Sequence, residues 1–509
     1  MKEIEVLRRS SFGQRTAEEE RARLKQYFVE TEYWRQVFQG EIDIVYGPKG
    51  SGKSAIYSLI SQSKDELFDR NILVVPGENP QGTPAFKGIG DDPPKNEHEF
   101  VNLWKLYILT LCGQSIKDYG ITNKKCSLLL KSLEDANLIS SNFTLAKALK
   151  YAFDYVKRWA RPQAVEAELE IDPITGQPNV TGRIVFQEPS AQDARNGCIS
   201  VDDLFRTASE ALHESGYTIW VVLDRLDVAF ADKPELEMNA LRALFKFYLD
   251  TKSNNNISTK IFLRNDIWSS ITEEGFREAS HIERSINIEW SNEDLTNLVI
   301  QRALSNQAIC EYYNVDKEEI LGSFSSQEYF LTQIFPDQVE TGPNKPKTFQ
   351  WMITRTCDAA QSTMPRELIH FLNELKSVQI IRLERGRANL IGKKLFESAA
   401  FKEALPAVSK VRLEQTLYAE FPELKPYIEK LKEQKATQPL ENLEILWDTD
   451  KDEALEIVNR LEKVGFFERM GGNKGTNWRV PFLYRPALNL VQGSADVSDA
   501  TKKIDTDED

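Results

Sequence analysis

The chain has 509 residues but little cysteine or histidine, and it lacks a long apolar run. Its five cysteines include no Cys-x-x-Cys pair, and its four histidines have no zinc-ligand spacing. Scattered thiols are typical of a reducing compartment, and this histidine pattern predicts no metal site other than a nucleotide-bound cation. No stretch of about 18 apolar residues is present, and the beginning MKEIEVLRRSSFGQ has no apolar signal-peptide centre. We therefore expect a cytoplasmic protein that does not enter a membrane.

Positive charge is also in short supply. The chain carries 64 basic and 78 acidic residues, for a net charge of −14. A protein that coats nucleic acid is normally basic, so this balance argues against that class, although a local basic patch stays open. The apolar share of 41% is enough for the cores of about two to four domains.

The most informative segment that is present is the octapeptide GPKGSGKS, residues 47–54, which fits the phosphate-loop pattern GxxxxGK[ST]. The apolar run Ile42–Tyr46 before it predicts a buried strand, and Ala55–Ile60 after it predicts the start of a helix. Strand, glycine-rich loop and helix is the context in which backbone N–H groups and a helix N-terminus hold a polyphosphate. The residues expected to bind the nucleotide are Gly47, Pro48, Lys49, Gly50, Ser51, Gly52, Lys53, Ser54 and Ala55.

Two of these side chains carry specific chemistry. Lys53 would neutralise the β- and γ-phosphates, and the Ser54 hydroxyl would bind Mg²⁺. No base-reading Asn-Lys-x-Asp motif for guanine is present. The predicted cofactors are ATP and Mg²⁺.

A second acidic requirement is met by the run WVVLDRLD, in which four apolar residues end at Asp224. A carboxylate at the end of a neighbouring parallel strand would lie at the edge of the phosphate loop and could hold Mg²⁺ through water. Asp227, three residues later, could orient the attacking water. Alternatively, Asp224 ends its strand in a solvated turn, and Asp227 is the N-cap of a helix.

The remaining pattern predicts an α/β fold: a P-loop core with a parallel sheet, a helical lid and a C-terminal winged-helix domain. A capping box at Thr16–Glu19 predicts a long helix that runs to about Gln39. The expected divisions are an N-terminal helical segment (1–40), the ATPase core (41–300), the lid (301–390), the winged-helix domain (391–492) and a disordered acidic tail (493–509). Alternating apolar and acidic residues followed by turn chemistry predict a β-hairpin insertion near 164–188.

Taken together, GPKGSGKS, LDRLD and the strand end FLRNDIW resemble the STAND and KAP-type signalling P-loop ATPases, and bacterial P-loop ATPases encoded among anti-phage defence genes. The resemblance spans roughly residues 10–490, with gaps. It is also carried by Phe12-Gly13, by Glu289-Trp290-Ser291 before a helix with Arg302, and by MPRELI at residues 364–369.

The resemblance implies further site residues. Arg264 matches the sensor arginine after the fourth core strand, and Arg366 matches the basic residue of the lid helix; each would contact nucleotide phosphate and link it to lid position. Alternatively, Arg264 caps the sheet edge through Asp266, and Arg366 pairs with Glu367 or a solvated neighbour. Related ATPases carry a glutamate base where this chain has Arg225, which stays protonated. Either Asp227 substitutes for that base or turnover is slow.

Towards the C-terminus, a helix with one apolar face is followed by FFER, a glycine-rich turn and WRV, a pattern typical of a winged helix. The helix over 452–464 carries four acidic residues against Arg460 and Lys463, a poor surface for a phosphate-lined groove. The wing is more basic, so DNA stays possible, but protein contact is favoured.

The function that the sequence favours is an ATP-hydrolysing molecular switch that forms homo-oligomers and acts with a separate effector protein in anti-phage defence. Two alternatives stay open. One is a DNA-binding ATPase that resembles origin-recognition and loader proteins, and the other is a nucleotide-binding scaffold with little turnover.

Overall fold

A computed structural model of the chain describes residues 2–77, 94, 96–139, 143–159, 183–195, 197–226, 234–273, 275–359, 363–472 and 475–495. The chain divides into two compact units. Residues 30–288 form one, here called the sheet unit. Residues 1–29 and 289–509 form the other, here called the helical unit. The first 29 residues thus group with the second half of the chain, and the boundary near residue 289 precedes the expected one at 300.

The predicted long N-terminal helix is wrong in its extent. The segment instead forms α1 (Glu3–Arg9), α2 (Ala17–Glu20), α3 (Leu24–Tyr27) and, in the sheet unit, α4 (Glu32–Gln39). The Thr16 hydroxyl does cap α2, but Phe28 is extended (φ −72°, ψ 133°) and ends α3. Thr31 then caps α4 by accepting a hydrogen bond from the Trp34 N–H. A second cap within the segment competes with helix propagation, and the apolar period alone did not show this break.

The sheet unit alternates strands and helices in the described residues. Its further helices are α5 (Lys53–Gln62), α6 (Lys64–Phe68), α7 (Glu97–Asp118), α8 (Lys124–Asp135), α9 (Leu145–Trp159), α10 (Ala191–Arg195), α11 (Val201–Ser215), α12 (Pro234–Thr251) and α13 (Asn265–Glu273). Its strands are β1 (Ile44–Gly47), β2 (Ile72–Pro76), β3 (Ile184–Val185), β4 (Ile199–Ser200), β5 (Thr218–Leu223), β6 (Ile257–Arg264) and β7 (Ser285–Asn287).

Five of these strands form one parallel sheet in the order β2-β5-β6-β1-β7. Strand β5 is apolar and buried from Ile219 to Leu223, as expected for a parallel strand covered on both faces. The expectation that the strand ending at Asp224 neighbours β1 is wrong, because β6 lies between β5 and β1. Both strands still end at the same edge of the sheet, since all five run parallel.

A short strand, β3, lies within the range of the predicted hairpin insertion and pairs in parallel with β4. The first strand of the predicted hairpin lies outside the described residues, so the hairpin stays a prediction.

The helical unit continues with α14 (Asn292–Leu304), α15 (Gln307–Tyr313), α16 (Lys317–Leu321), α17 (Phe324–Ile334), α18 (Thr348–Thr356), α19 (Pro365–Glu384), α20 (Ser398–Arg412), α21 (Tyr418–Glu420) and α22 (Lys425–Glu429). It ends with β8 (Lys435–Pro439), α23 (Leu440–Trp447), α24 (Lys451–Lys463), β9 (Glu468–Gly472), β10 (Gly475–Arg479) and β11 (Val491–Ser494).

The succession of β8, two helices and the hairpin β9–β10 is a winged helix, with sheet order β11-β8-β10-β9. Strand β8 had no apolar signal because one of its inward side chains is Gln438, which is fully buried and accepts a hydrogen bond from Asn442. Strand β11 runs through Ser494, two residues into the expected tail. The predicted fold class is confirmed: an α/β P-loop core with a parallel sheet, a helical region and a winged helix.

Candidate nucleotide-binding site

The phosphate loop joins β1 to α5 within the sheet unit. Gly47 is the last residue of β1, and Lys53 is the first of α5, one to two residues from the bounds expected. Gly50 and Gly52 have φ values of +87° and +101°, a region that residues with a Cβ rarely adopt. A Cβ on Gly47 would approach Ser51 Oγ to 2.5 Å. The loop therefore needs its glycines for two reasons, backbone conformation and close approach.

Lys53 is folded back over this loop. Its ammonium group donates hydrogen bonds to the carbonyl oxygens of Gly47 (2.7 Å) and Pro48 (2.9 Å), and its side chain is buried. Carbonyl groups are neutral acceptors, so these bonds leave the positive charge of Lys53 without compensation from them. An anion at the loop would gain this charge-assisted contact. Ser54 and Ala55 follow in the first turn of α5, at its positive end.

The sheet register fixes where the other candidate residues lie. Arg264, the last residue of β6, is the register partner of Gly47 on the adjacent strand. Leu223 on β5 pairs with Ile261, so Asp224 directly follows the end of a strand two positions away from β1. Strands lie about 4.8 Å apart, which places the β5 and β1 backbones about 10 Å apart. Lys53, Arg264 and Asp224 are thus brought to one edge of one sheet.

Arg264 is held by a partner that the sequence suggested. Its Nε donates to Asp266 Oδ1 at 3.0 Å, and its Nη2 donates to Oδ2 at 2.6 Å. The Asp266 side chain is half exposed, whereas that of Arg264 is mostly buried. The alternative in which Arg264 caps the sheet edge through Asp266 is therefore what the structure contains. A contact with nucleotide would require Arg264 to leave or share this carboxylate.

Asp224 is a buried carboxylate, 4% exposed, at the end of β5. Arg225 follows with a φ of +57°, so the chain turns sharply in the left-handed region, and Leu226 is buried again. Because the Asp224 carboxylate is buried, the alternative in which it lies in a solvated turn does not describe it. Asp227 lies outside the described residues, so its two interpretations both stand as predictions.

A buried charge network that sequence reasoning missed lies towards the start of β1. Asp43 accepts hydrogen bonds from Lys260 Nζ (2.7 Å), Ser258 Oγ (2.9 Å) and the Tyr248 hydroxyl (3.0 Å), and Arg284 Nε lies 2.9 Å from it. Burial lowers the pKa of Lys260, and the adjacent carboxylate opposes that shift. The signal was available, because a lysine lies inside β6 and an aspartate directly precedes β1. The network ties β1 to β6 and β7, and so fixes the strand that carries the loop.

Arg366 belongs to the helical unit, where it is the second residue of α19. The alternative pairing with Glu367 is wrong, because the buried Glu367 accepts a hydrogen bond from Arg412 at 2.8 Å. Arg366 is partly exposed and makes no hydrogen bond or ion pair with other described residues. Its proposed role as a sensor stays a prediction.

Motif residues quoted from the N-terminal region do meet within the helical unit. Arg302 on α14 donates to both carboxylate oxygens of Glu20, at 2.6 and 2.8 Å, and to the carbonyl oxygen of Phe12 at 2.6 Å. The two charged side chains are each 4% exposed. A Cβ on Gly13 would collide with both of them, at 1.8 and 2.0 Å. Phe12-Gly13 and Arg302 therefore form one buried polar centre.

Comparison with known proteins adds little to this geometry. No protein-family model and no curated protein matches the chain. Among solved structures, the ORC2 protein of Aeropyrum pernix, in ADPNP–ADP complexes, is 10% identical with a TM-score of 0.28, covering 89% of this chain and 91% of that one. A likeness at this level supports no statement about activity, so the fold assignment depends on the strand order and the loop itself.

In the part of the chain that the structure describes, no helix is long and apolar enough to cross a membrane. The same residues contain no group of three or more His, Cys, Asp or Glu side chains placed to hold a metal ion.

Proposed function

We propose that this protein is an ATP-binding molecular switch that hydrolyses ATP slowly with Mg²⁺. The observation that carries the proposal is the loop itself, in which two left-handed glycines and an ammonium group directed to loop carbonyls stand at the start of a helix. Such a site binds a polyphosphate through backbone N–H groups, one lysine and the helix end.

The sheet edge supplies the remaining roles. Lys53 would hold the β- and γ-phosphates, and Arg264 would exchange the Asp266 carboxylate for the γ-phosphate. The donor set fits Mg²⁺, because Ser54 offers a hydroxyl and Asp224 a buried carboxylate at the same edge, and hard cations prefer oxygen ligands. When bound, that cation would neutralise phosphate charge. Asp227 would orient the water that attacks in line.

Slow turnover is supported by the residue after Asp224. Arg225 stays protonated, so it cannot activate water in the way that a glutamate at this position would. A slowly hydrolysed nucleotide keeps the protein in its loaded state for longer, which suits a switch better than a motor.

The winged helix is proposed to contact protein rather than DNA. On its wing, Arg469 donates to both carboxylate oxygens of Glu462, and Arg479 pairs with Glu468. On α24, Arg460 pairs with Glu423. Internal carboxylates thus neutralise these three cations, and contacts between cations and phosphate supply much of the affinity for DNA.

By extension, the switch would form homo-oligomers and act with a separate effector protein, in the cytoplasm and in anti-phage defence. This extension depends on the resemblance described above. Arg366 would report the phosphate state to the helical unit and thereby change partner binding.

The decisive experiment measures ATP binding, phosphate release and particle mass for the wild-type chain. We expect Mg²⁺-dependent ATP binding, slow phosphate release, and a change of particle mass or partner binding when ATP is added. Arg366→Ala should abolish that change and largely keep ATP binding, because a ligand shifts an equilibrium only through its differential affinity for the two states. A salt-dependent mobility shift with duplex DNA that responds to ATP would instead favour the DNA-binding ATPase. Bound ATP without phosphate release would favour the scaffold.

A further inference from the structure

A phenylalanine in the helical unit is enclosed by two arginines. The guanidinium carbon of Arg355, on α18, lies 3.7 Å from the centroid of the Phe482 ring, and that of Arg485 lies 3.9 Å from the same centroid. Two guanidinium groups this close cannot share one face without overlapping, so they occupy opposite faces. We call Arg355, Phe482 and Arg485 the arginine sandwich.

The arginine sandwich has too few anions for its charge. Arg485 donates through Nε to the Val480 carbonyl, a neutral partner, and Arg355 lies 3.7 Å from Glu340, which is already bound to Lys345 at 2.7 Å. A third arginine, Arg479, stands near Arg485 and is paired with Glu468. These three arginines therefore share two carboxylates, one of which also binds Lys345, in a chain whose net charge is −14.

The electrostatics of the arginine sandwich differ from those of the paired arginines of the same unit. Burial lowers the pKa of Arg355, and burial together with Arg479 and Arg355 lowers that of Arg485 to about 10. By contrast, hydrogen bonds to Glu397 raise the pKa of Arg382, and those to Glu462 raise that of Arg469. A carboxylate brought to the arginine sandwich would relieve a repulsion that those paired arginines do not experience.

The spacing of the two guanidinium groups can be compared with that of an anionic segment. Their carbons are separated by about twice the distance from either carbon to the ring centroid. Alternate residues of an extended chain share one face and are about 7 Å apart. Two carboxylates with one residue between them therefore match the two guanidinium groups.

The chain contains such a pattern in the segment IDTDED, where Asp505, Asp507 and Asp509 alternate. These residues lie outside those that the structure describes. Ser494 on β11 and Arg479 on β10 are both register partners of Thr437 on β8, so they are two strands apart, about 10 Å. The ten residues between Ser494 and Asp505 can span about 30 Å when extended, about three times this separation.

We propose that the arginine sandwich is the docking site for the acidic segment of this same chain, with carboxylates of Asp505, Asp507 and Asp509 bound to Arg355 and Arg485.

The test uses the full chain and a fluorescent peptide of residues 496–509. The variant D505N/D507N/D509N removes the three carboxylates that would occupy the arginine sandwich. We therefore expect the peptide to bind to this variant. In the wild-type chain the tethered segment competes at an effective concentration in the millimolar range, so the peptide should bind at least about tenfold more weakly. Equal peptide binding by the wild type and the neutralised variant would overturn the proposal, and that comparison changes no residue of the folded region.

Variants of the arginines complete the test in the neutralised background. Arg485→Gln and Arg355→Gln should each weaken peptide binding about tenfold, as expected for loss of a charge-assisted bidentate contact. Arg469→Gln, on the same wing but paired with Glu462, is the matched control and should bind normally. A peptide with asparagine at the three positions should not bind. An equal loss of peptide affinity in Arg469→Gln would contradict the proposal. So would duplex DNA that binds more tightly than the peptide and loses the same affinity in Arg485→Gln.

Discussion

Cations are held in two different ways in the two units of this protein. In the sheet unit, Lys53 donates to two neutral carbonyl groups, and Arg264 donates to a half-exposed aspartate. In the helical unit, Arg302 and Glu20 are both buried and share two hydrogen bonds, with the Phe12 carbonyl as a third acceptor.

The difference separates cations that can exchange partners from cations that cannot. A lysine that donates to carbonyl groups gains a full opposite charge when a phosphate arrives, whereas carbonyl oxygens carry only partial charge. Removing either member of a buried bidentate pair leaves an uncompensated charge. The first arrangement suits ligand binding, and the second suits a permanent link between the segment around Phe12 and α14.

The largest effect is expected in the helical unit. Glu20→Ala should destabilise it by about 3–5 kcal/mol, because Arg302 is then buried without its counter-ion. The control Arg8→Ala removes an exposed pair with Glu384, with exposures of 57% and 45%, in the same unit. It should cost less than about 1 kcal/mol. Denaturant unfolding of both variants measures the two free energies. Similar losses of stability would contradict the distinction between cations that can exchange partners and cations that cannot.

The next effect concerns nucleotide. Lys53→Ala should weaken ATP binding by about 2–3 kcal/mol, or roughly 30- to 150-fold, because it removes a charge-assisted contact to phosphate. The fold should stay intact, so that the loss is one of affinity. Calorimetry with ATP and thermal unfolding check the two parts, with Lys125→Ala on α8 as a control. Unchanged ATP affinity in Lys53→Ala would refute the proposed site.

The elements around the loop were predictable from sequence for a physical reason. The loop, β1, β5 and β6 are specified by local signals, namely glycines at left-handed positions and apolar runs that only a covered parallel strand tolerates. Bounds were wrong by one to three residues because hydrogen-bond partners, not apolar character, decide where a strand ends.

Other features depend on contacts between distant residues, which a single sequence does not display. The position of β6 between β5 and β1 is a matter of topology, and the pairing of Glu367 with Arg412 joins residues 45 positions apart. Likewise, the burial of Asp43 with Lys260 makes two charged residues part of a core. Strand β8 was missed because its inward Gln438 is satisfied by a polar neighbour, Asn442.

A sharper test of the sheet edge separates its two aspartates. Asp224→Asn should lose Mg²⁺-dependent ATP binding and turnover, because it removes the buried carboxylate at the end of β5. Asp227→Asn should keep ATP bound and slow phosphate release by about 10- to 100-fold, as expected for loss of a group that orients water. If Asp227→Asn releases phosphate at the wild-type rate, Asp227 is a helix cap and another group orients the water.

The smallest effect tests whether Arg264 is exchangeable. Asp266→Asn removes the carboxylate that competes with the γ-phosphate for this arginine, so ATP should bind about two- to fivefold more tightly, the range of an exposed ion pair. ADP lacks the γ-phosphate, so its affinity should not change. Asp154→Asn on α9 is a control for the general removal of negative charge. In the Arg264→Ala background, Asp266→Asn should not change ATP affinity further. An equal gain for ATP and ADP would mean that Asp266 acts only through its charge, and that Arg264 is a fixed part of the sheet edge, as Arg302 is of the helical unit.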